Sequence, residues 1–170
     1  MKSILFVCTG NTCRSSMAEA IFKDMLKKAG LEAEVSSAGT AVYYEGGASE
    51  QAVEAMREKG IDLSGHRSRP VGREELERSD LVLTMTRAHK RAVLDMAPDL
   101  SDKVFTLKEY VCRGEPGGEE CGDGLDIADP FGRPVEYYRA CAEEIERALE
   151  KLVEMIKAEG PETNKEGPGE

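Results

Sequence analysis

The chain has 170 residues, enough for one domain with its own core, and 40% of them are hydrophobic. Its formal net charge of -10 argues against a nucleic-acid partner, because binding to phosphate backbones needs clustered Lys and Arg side chains. No apolar run is long enough to span a membrane, and the N-terminal apolar stretch is too short for a signal peptide, so we expect a cytoplasmic protein with no membrane partner.

Strands and helices alternate in the first half of the chain. Residues 3–7 are a short, apolar, β-branched run, which indicates a buried strand, and residues 8–16 follow as a loop. Apolar residues then recur at helical spacing up to Gly30, a natural helix end. A second strand is predicted over residues 33–37 and a second helix over residues 49–59.

The second half of the chain continues this alternation. Six further segments are predicted there: a helical piece at 73–78, a strand at 81–84, a helix at 88–96, a short strand at 104–106, a glycine-rich loop at 113–124 and a long helix at 136–157. Strands separated by helices are typical of βαβ units, in which the strands are parallel and helices cover both faces of the sheet.

We therefore predict an α/β fold: a single domain over residues 1–158, with a four-stranded parallel sheet flanked by helices. Residues 159–170 are charged, rich in Gly and Pro, and have no apolar side chain to pack, so we expect a disordered tail. Ligands of parallel sheets bind beyond the carboxyl ends of the strands. The loop after the first strand is accordingly the favoured place for a site.

That loop reads Cys8-Thr9-Gly10-Asn11-Thr12-Cys13-Arg14-Ser15. A loop between a strand end and a helix start directs successive backbone N–H groups into one concavity, which binds anions such as a phosphoryl group. We expect Gly10 to turn the chain with φ > 0, a region that Asn11 also tolerates. The planar guanidinium of Arg14 can bind two phosphate oxygens.

Cys8 is the candidate nucleophile of this phosphate-binding loop. A helix N-terminus and Arg14 should favour its thiolate, to which Ser15 can donate a hydrogen bond. The alternative is a buried structural cysteine at a strand end, a common place for free cysteines. The combination of Gly10, Arg14 and Ser15 in one strand–loop–helix segment favours the nucleophile.

Asp129 is the candidate general acid. A thiolate that attacks a phosphoryl group needs the leaving group to be protonated. Pro130 restricts the backbone of Asp129 and so fixes how the carboxyl is presented. A simple turn is the alternative for an Asp-Pro pair, and Asp126 and Asp123 remain competing candidates.

Five cysteines in a chain without an export signal indicate reduced thiols rather than a disulfide framework. We expect Cys112 and Cys121 to be free. Cys13 either packs as a small side chain or closes a reversible disulfide with Cys8 that protects the nucleophile from further oxidation. The spacings typical of zinc ligands are absent, so neither a metal nor another cofactor is expected.

The loop is similar to that of a known family. CTGNTCRSSMAEAIF at residues 8–22, followed by DPFG at residues 129–132, resembles the low-molecular-weight protein tyrosine phosphatases, and the likeness covers nearly the whole chain except the tail. The resemblance implies a four-stranded parallel sheet and no metal. It implies these roles: Cys8 as nucleophile, Arg14 as phosphate clamp, Ser15 as thiolate stabiliser, Asn11 as holder of the loop, Asp129 as acid and then base, and Thr9, Gly10, Thr12 and Cys13 as further substrate-binding residues.

Within that family, Thr12 and the run FTLKEYV at residues 105–111 are most similar to the bacterial protein arginine phosphatases. Tyrosine-specific members tend to have a bulky aliphatic residue at the position of Thr12, where a small hydroxyl would leave room for a guanidinium. The alternative is that Thr12 is an ordinary polar residue in a polar loop. The resemblance therefore implies phosphorylated proteins as partners and favours phosphoarginine as the substrate group.

Three other functions compete with this interpretation. The first is a tyrosine phosphatase, with the same mechanism and a different leaving group. The second is a thioredoxin-linked arsenate reductase, which needs two further redox cysteines on a segment that has none here. The third is a non-catalytic phosphate-binding module. Such a module would usually have lost Cys8, Arg14 or Asp129, and all three are present here.

Overall fold

Four parallel strands form one sheet, as predicted. The structure is a computed structural model and describes residues 2–115, 122 and 124–160. The strands are β1 (Lys2–Cys8), β2 (Ala33–Gly39), β3 (Leu81–Thr84) and β4 (Val104–Thr106). They lie side by side in the order β2-β1-β3-β4, and each neighbouring pair is parallel.

Helices cover both faces of this sheet, which buries residues 4–8 of β1 and all of β3. The helices are α1 (Arg14–Ala29), α2 (Glu50–Glu58), α3 (Arg73–Arg78), α4 (Arg87–Met96), α5 (Leu107–Arg113) and α6 (Val135–Glu159), with a 3-10 helix at Pro98–Lys103 before β4. None of the helices in the described ranges is long and apolar enough to cross a membrane.

The alternation of side chains along β1 divides the core into two parts. Ile4, Phe6 and Cys8 pack on one face of the sheet, together with the apolar stripes of α1 and α6. Leu5 and Val7 pack on the other face, against α3 and α4. Because successive side chains of a strand point to opposite faces, one short apolar run supplies both layers.

The strand order determines where a ligand can bind. From β1 the chain moves outward to β2, and from β3 it moves outward to β4 on the other side, so the connections diverge between β1 and β3. In open parallel sheets this divergence opens a crevice at the carboxyl ends of the two strands. The loop after β1, residues 8–13, lies at this place.

Two elements were not predicted from the sequence: the 3-10 helix and α5. α5 has only seven residues, and its start is a capping box in which Thr106 and Glu109 bind each other's backbone N–H groups. The Thr-x-x-Glu spacing was the available signal. The loop predicted at 113–124 begins at the last residue of α5. Residues 116–121 and 123 of that loop lie outside the described residues, and so does most of the predicted tail. Disorder of that tail stays a prediction.

Gly39, the last residue of β2, lies against the loop after β1. A Cβ at this position would lie 2.4 Å from the carbonyl oxygen of Thr9, a backbone atom that side-chain rotation cannot move away. We therefore expect Gly39→Ala to lower the free energy of unfolding by about 1–3 kcal/mol in chemical denaturation. Gly65→Ala is the matched control, because an added Cβ there meets nothing within 4 Å. Equal effects of both substitutions would contradict this account of Gly39.

Candidate active site

The loop at residues 8–13 joins the end of β1 to the start of α1. Cys13 occupies the position before the first helical residue, and its side chain makes no capping hydrogen bond. The free N–H groups of the first turn and their partial positive charge are therefore available to an anion. The loop is a candidate phosphate-binding site on its backbone geometry alone.

The thiol of Cys8 lies at the base of this loop and is 3% exposed. Its Sγ is 2.9 Å from the Ser15 hydroxyl oxygen and accepts a hydrogen bond of 3.2 Å from the backbone N–H of Asn11. The Asn11 N–H is a donor to this sulfur, and the Ser15 hydroxyl can be a second one. The structure thus places Ser15 beside Cys8, as the sequence analysis expected.

The tight turn of the loop occurs at Asn11, whose φ is 55°. Gly10 has no positive φ, so the expectation that Gly10 makes the turn was wrong. Asn11 can adopt this conformation because its side chain is held on several sides. Its amide donates to the hydroxyls of Ser15 (2.8 Å) and Ser37 (2.9 Å), and its Oδ1 accepts from the N–H of Arg69 (3.2 Å).

A second set of side chains stabilises the backbone of Asn11. The sequence did not predict these contacts. His66 Nε2 donates a 2.7 Å hydrogen bond to the Asn11 carbonyl oxygen, which can only accept, and its Nδ1 lies 4.0 Å from the Glu19 carboxylate. Ser37 donates from its hydroxyl to the same carboxylate. The run SSAGT around Ser37 and the small number of histidines were the only signals in the sequence.

Arg14 and Asp129 meet at the mouth of the loop. Arg14 is 5% exposed, and its Nη1 donates a 2.9 Å hydrogen bond to the carbonyl oxygen of Ile127. Its Nη2 lies 3.4 Å from Oδ2 of Asp129, whose side chain is 53% exposed. The N–H of Ile127 in turn donates to the carbonyl oxygen of Met85 (2.9 Å), beyond the end of β3. The sheet thereby brings a distant carboxylate next to the loop.

The competing carboxylates differ in what they contact. Oδ1 of Asp126 accepts a 2.8 Å hydrogen bond from the backbone N–H of Arg87, which lowers the pKa of Asp126. Asp126 is therefore committed to the start of α4, whereas Asp129 accepts a 3.1 Å hydrogen bond from the N–H of Phe131 and lies beside Arg14. Asp123 lies outside the described residues.

Thr9 and Thr12 lie on different sides of the loop. The carbonyl oxygen of Thr9 accepts from the N–H of Ala41 (3.0 Å), and its hydroxyl is 2.8 Å from Nε2 of His89. The carbonyl oxygen of Thr12 accepts from the N–H of Ser49 (3.0 Å), the residue that caps α2. The Thr12 side chain is partly exposed, with its hydroxyl 3.5 Å from Sγ of Cys13. Both hydroxyls are thus held at the rim.

Three of the cysteines are free, buried thiols: Cys8, Cys13 and Cys141. Sγ of Cys13 lies 3.5 Å from the hydroxyl oxygen of Tyr138. Burial raises the pKa of Cys141 to about 12, which keeps this thiol protonated. Cys112 is disulfide-bonded, so the expectation of a free thiol there was wrong, and Cys121 lies outside the described residues. Among the residues that the structure describes, no group of three His, Cys, Asp or Glu side chains could hold a metal ion.

Comparison with known proteins gives consistent matches over most of the chain. The family described as low molecular weight phosphotyrosine protein phosphatase matches residues 3–162. A protein-arginine-phosphatase of Bacillus subtilis (strain 168) is 44% identical over 154 residues, which are 91% of this chain and 96% of the relative.

Solved structures match equally well. A mutant of the arginine phosphatase YwlE with a phosphorylated active-site serine has a TM-score of 0.82 and 43% identity, over 93% of this chain and 97% of its own. A low molecular weight protein tyrosine phosphatase from T. tengcongensis has a TM-score of 0.81 and 42% identity, over 91% and 99% of the two chains.

Cys13 is the candidate partner of Cys8 in a reversible disulfide. We expect mild peroxide to inactivate catalysis reversibly, with a Cys8–Cys13 disulfide in the mass spectrum of unreduced digests. A separation of five positions within a loop permits this bond. Cys13→Ala should make inactivation harder to reverse with a thiol reductant. Cys141→Ala is the matched control and should recover like the wild type, since that buried thiol stays protonated. Unchanged recovery in Cys13→Ala would leave Cys13 with a packing role alone.

Proposed function

This chain belongs to the low molecular weight phosphotyrosine protein phosphatase family, and from that premise we propose that it is a protein arginine phosphatase that works through a phosphocysteine at Cys8. The observation that supports the chemistry most directly is the convergence of two pairs of side chains at one loop. The Cys8 thiol contacts Ser15, and the Arg14 guanidinium lies beside the Asp129 carboxylate. A nucleophile, a phosphate ligand and an acid are thereby within reach of one phosphoryl group.

In the first step Sγ of Cys8 attacks phosphorus, so that an S–P bond forms and the bond to the leaving group breaks. The backbone N–H groups of the loop and the guanidinium of Arg14 stabilise the charge on the transferred phosphoryl oxygens. Asp129, in its protonated form, donates its proton to the leaving nitrogen or oxygen. The product protein departs with that proton, and Asp129 is left as a carboxylate.

In the second step the Asp129 carboxylate takes a proton from a water molecule, whose oxygen attacks phosphorus. The S–P bond breaks, inorganic phosphate is released, and Cys8 leaves as the thiolate with its electron pair. The hydroxyl of Ser15 and the N–H of Asn11 stabilise this leaving thiolate through the same two hydrogen bonds that stabilise the nucleophile. Asp129 is protonated again, and the cycle is complete without another cofactor.

The choice of phosphoarginine rests on Thr12. Phosphoarginine has a planar guanidinium directly on phosphorus, whereas phosphotyrosine presents an apolar ring. A short hydroxyl at the rim of the loop leaves room for guanidinium N–H groups and can accept a hydrogen bond from one. A protein-arginine-phosphatase with 44% identity supports this choice. Phosphotyrosine is the second candidate, because a structure described as a tyrosine phosphatase is 42% identical.

The substrates in this proposal are phosphorylated proteins. Asp129 lies beside Arg14 at the mouth of the loop with its side chain half exposed, so a phosphorylated side chain can enter there while the rest of the protein substrate stays outside. A cysteine nucleophile works only while it is reduced, which favours the cytoplasm as the place of action.

Asp129 and Asp126 can be separated by the leaving group. We expect Asp129→Ala to lower kcat/KM for a phosphopeptide by about 10²–10⁴-fold, the usual contribution of general acid catalysis. The loss should be smaller with p-nitrophenyl phosphate, whose leaving group needs little protonation. Asp126→Ala is the matched control. Its effect on kcat/KM should be the same for both leaving groups, because Asp126 binds the start of α4. The reverse pattern would make Asp126 the acid.

Thr12→Ile tests the choice of substrate group. A branched aliphatic side chain would leave guanidinium donors unpaired, which costs about 1–3 kcal/mol for each buried group. We therefore expect kcat/KM for phosphoarginine peptides to fall by roughly ten-fold to more than a hundred-fold, while that for phosphotyrosine peptides is unchanged or rises. Cys8→Ser gives the background rate for both substrates. Parallel losses on both would reduce Thr12 to a support of the loop and favour the tyrosine phosphatase.

A further inference from the structure

His89, on the first turn of α4, has contacts that the proposed mechanism does not explain. It is 6% exposed, and its Nε2 lies 2.8 Å from the hydroxyl oxygen of Thr9, the residue next to the nucleophile. Its other ring nitrogen, Nδ1, is buried and has no hydrogen-bond partner in the described part of the chain. A buried polar side chain with one partner is unusual, and that partner belongs to the phosphate-binding loop.

The surroundings of His89 keep its imidazole neutral. Burial and the positive charge of Arg14 lower the pKa of His89 to about 4, against the opposing effects of Asp129 and Asp126. These are the charged groups that face it from α1 and from the segment before α6, and Thr9 faces it from the loop. At neutral pH one ring nitrogen therefore has a hydrogen and the other does not.

The unpartnered Nδ1 indicates which nitrogen has the hydrogen. If Nε2 accepted from the Thr9 hydroxyl, Nδ1 would be a buried N–H donor without an acceptor, the rarer and costlier arrangement in proteins. With the hydrogen on Nε2, the ring donates to Thr9 Oγ1 and only an acceptor is left unpaired. A hydroxyl has one hydrogen, so the Thr9 hydroxyl then remains free to donate to something else.

We propose that His89 is a positioning residue for Thr9: its neutral ring donates from Nε2 to the Thr9 hydroxyl, which directs the hydroxyl hydrogen towards a phosphoryl oxygen in the loop. Thr9 is exposed at the rim, and its carbonyl oxygen accepts a hydrogen bond from the N–H of Ala41. Backbone and side chain of Thr9 are therefore both held. This inference rests on the proposed phosphatase function, because it assigns Thr9 a phosphoryl group as ligand.

The experiment compares variants of both partners with inorganic phosphate as a competitive inhibitor of p-nitrophenyl phosphate hydrolysis. We expect Thr9→Val and His89→Leu each to raise the inhibition constant of phosphate and KM about three- to ten-fold, the size of one neutral hydrogen bond. The double variant should show no greater loss than either single variant. His89→Gln, which keeps a side-chain N–H donor, and Thr9→Ser, which keeps the hydroxyl, should bind phosphate within two-fold of the wild type.

Several results would overturn the proposal. The first is a double variant in which the fold-losses of phosphate binding in the two single variants multiply. A second is phosphate binding in His89→Gln as weak as in His89→Leu at an equal melting temperature, and a third is a Thr9→Val variant that binds phosphate like the wild type. If His89→Leu does not fold, phosphate binding by Thr9→Val, Thr9→Ser and His89→Gln still tests the proposal. Arg91→Ala, an exposed charge on the same helix, is the matched control and should change nothing.

A different result would show that the proposed phosphatase function is wrong while leaving the role of His89 open to test. A wild-type protein that binds inorganic phosphate in calorimetry but does not hydrolyse p-nitrophenyl phosphate would reject the phosphatase. The same calorimetric titration of the Thr9 and His89 variants would still support or reject the role of His89.

Discussion

The left-handed backbone of Asn11 is the constraint on which the candidate site depends. A non-glycine residue at φ of 55° persists only when its surroundings hold it there, and three segments of the chain do so. Ser15 binds its side chain from α1, Ser37 from β2 and Arg69 from the connection to α3, while His66 binds its carbonyl oxygen. The curvature of the loop around Cys8 is thus a property of the whole fold.

Because that constraint turns the Asn11 N–H inward, it also determines the electrostatics of the site. The chain has a net charge of -10, yet Cys8 is surrounded by donors: the Asn11 N–H, the Ser15 hydroxyl and the uncapped start of α1. Arg14 adds the one buried guanidinium among the residues that the structure describes, and it lies at the loop mouth beside Asp129. An acidic protein binds an anion here because donors converge locally, whatever the sign of the total charge.

Much of the fold could be predicted from the sequence because the signals are local. Hydrophobic spacing located the four strands to within about two residues, and Gly30, with φ of 66°, ends α1 where its lack of a Cβ predicted. Short elements were harder. α5 has too few residues to show an amphipathic period, so only the pair Thr106 and Glu109 marks it. The turn was assigned to Gly10 instead of Asn11, because two of the contacts that stabilise the Asn11 side chain, with Ser37 and Arg69, are non-local.

The sequence by itself determined the residues of the loop, because Cys8 to Ser15 are consecutive and their chemistry follows from a strand, a loop and a helix start. Only the tertiary structure decided which distant groups join them. Pro130 favoured Asp129 but left Asp126 as a competitor, and the structure shows that Asp129 lies beside Arg14 while Asp126 binds the start of α4. His89 reaches Thr9 across 80 residues. Such pairings arise because parallel strands bring the ends of separate segments to one edge of the sheet, and sequence spacing does not encode that distance.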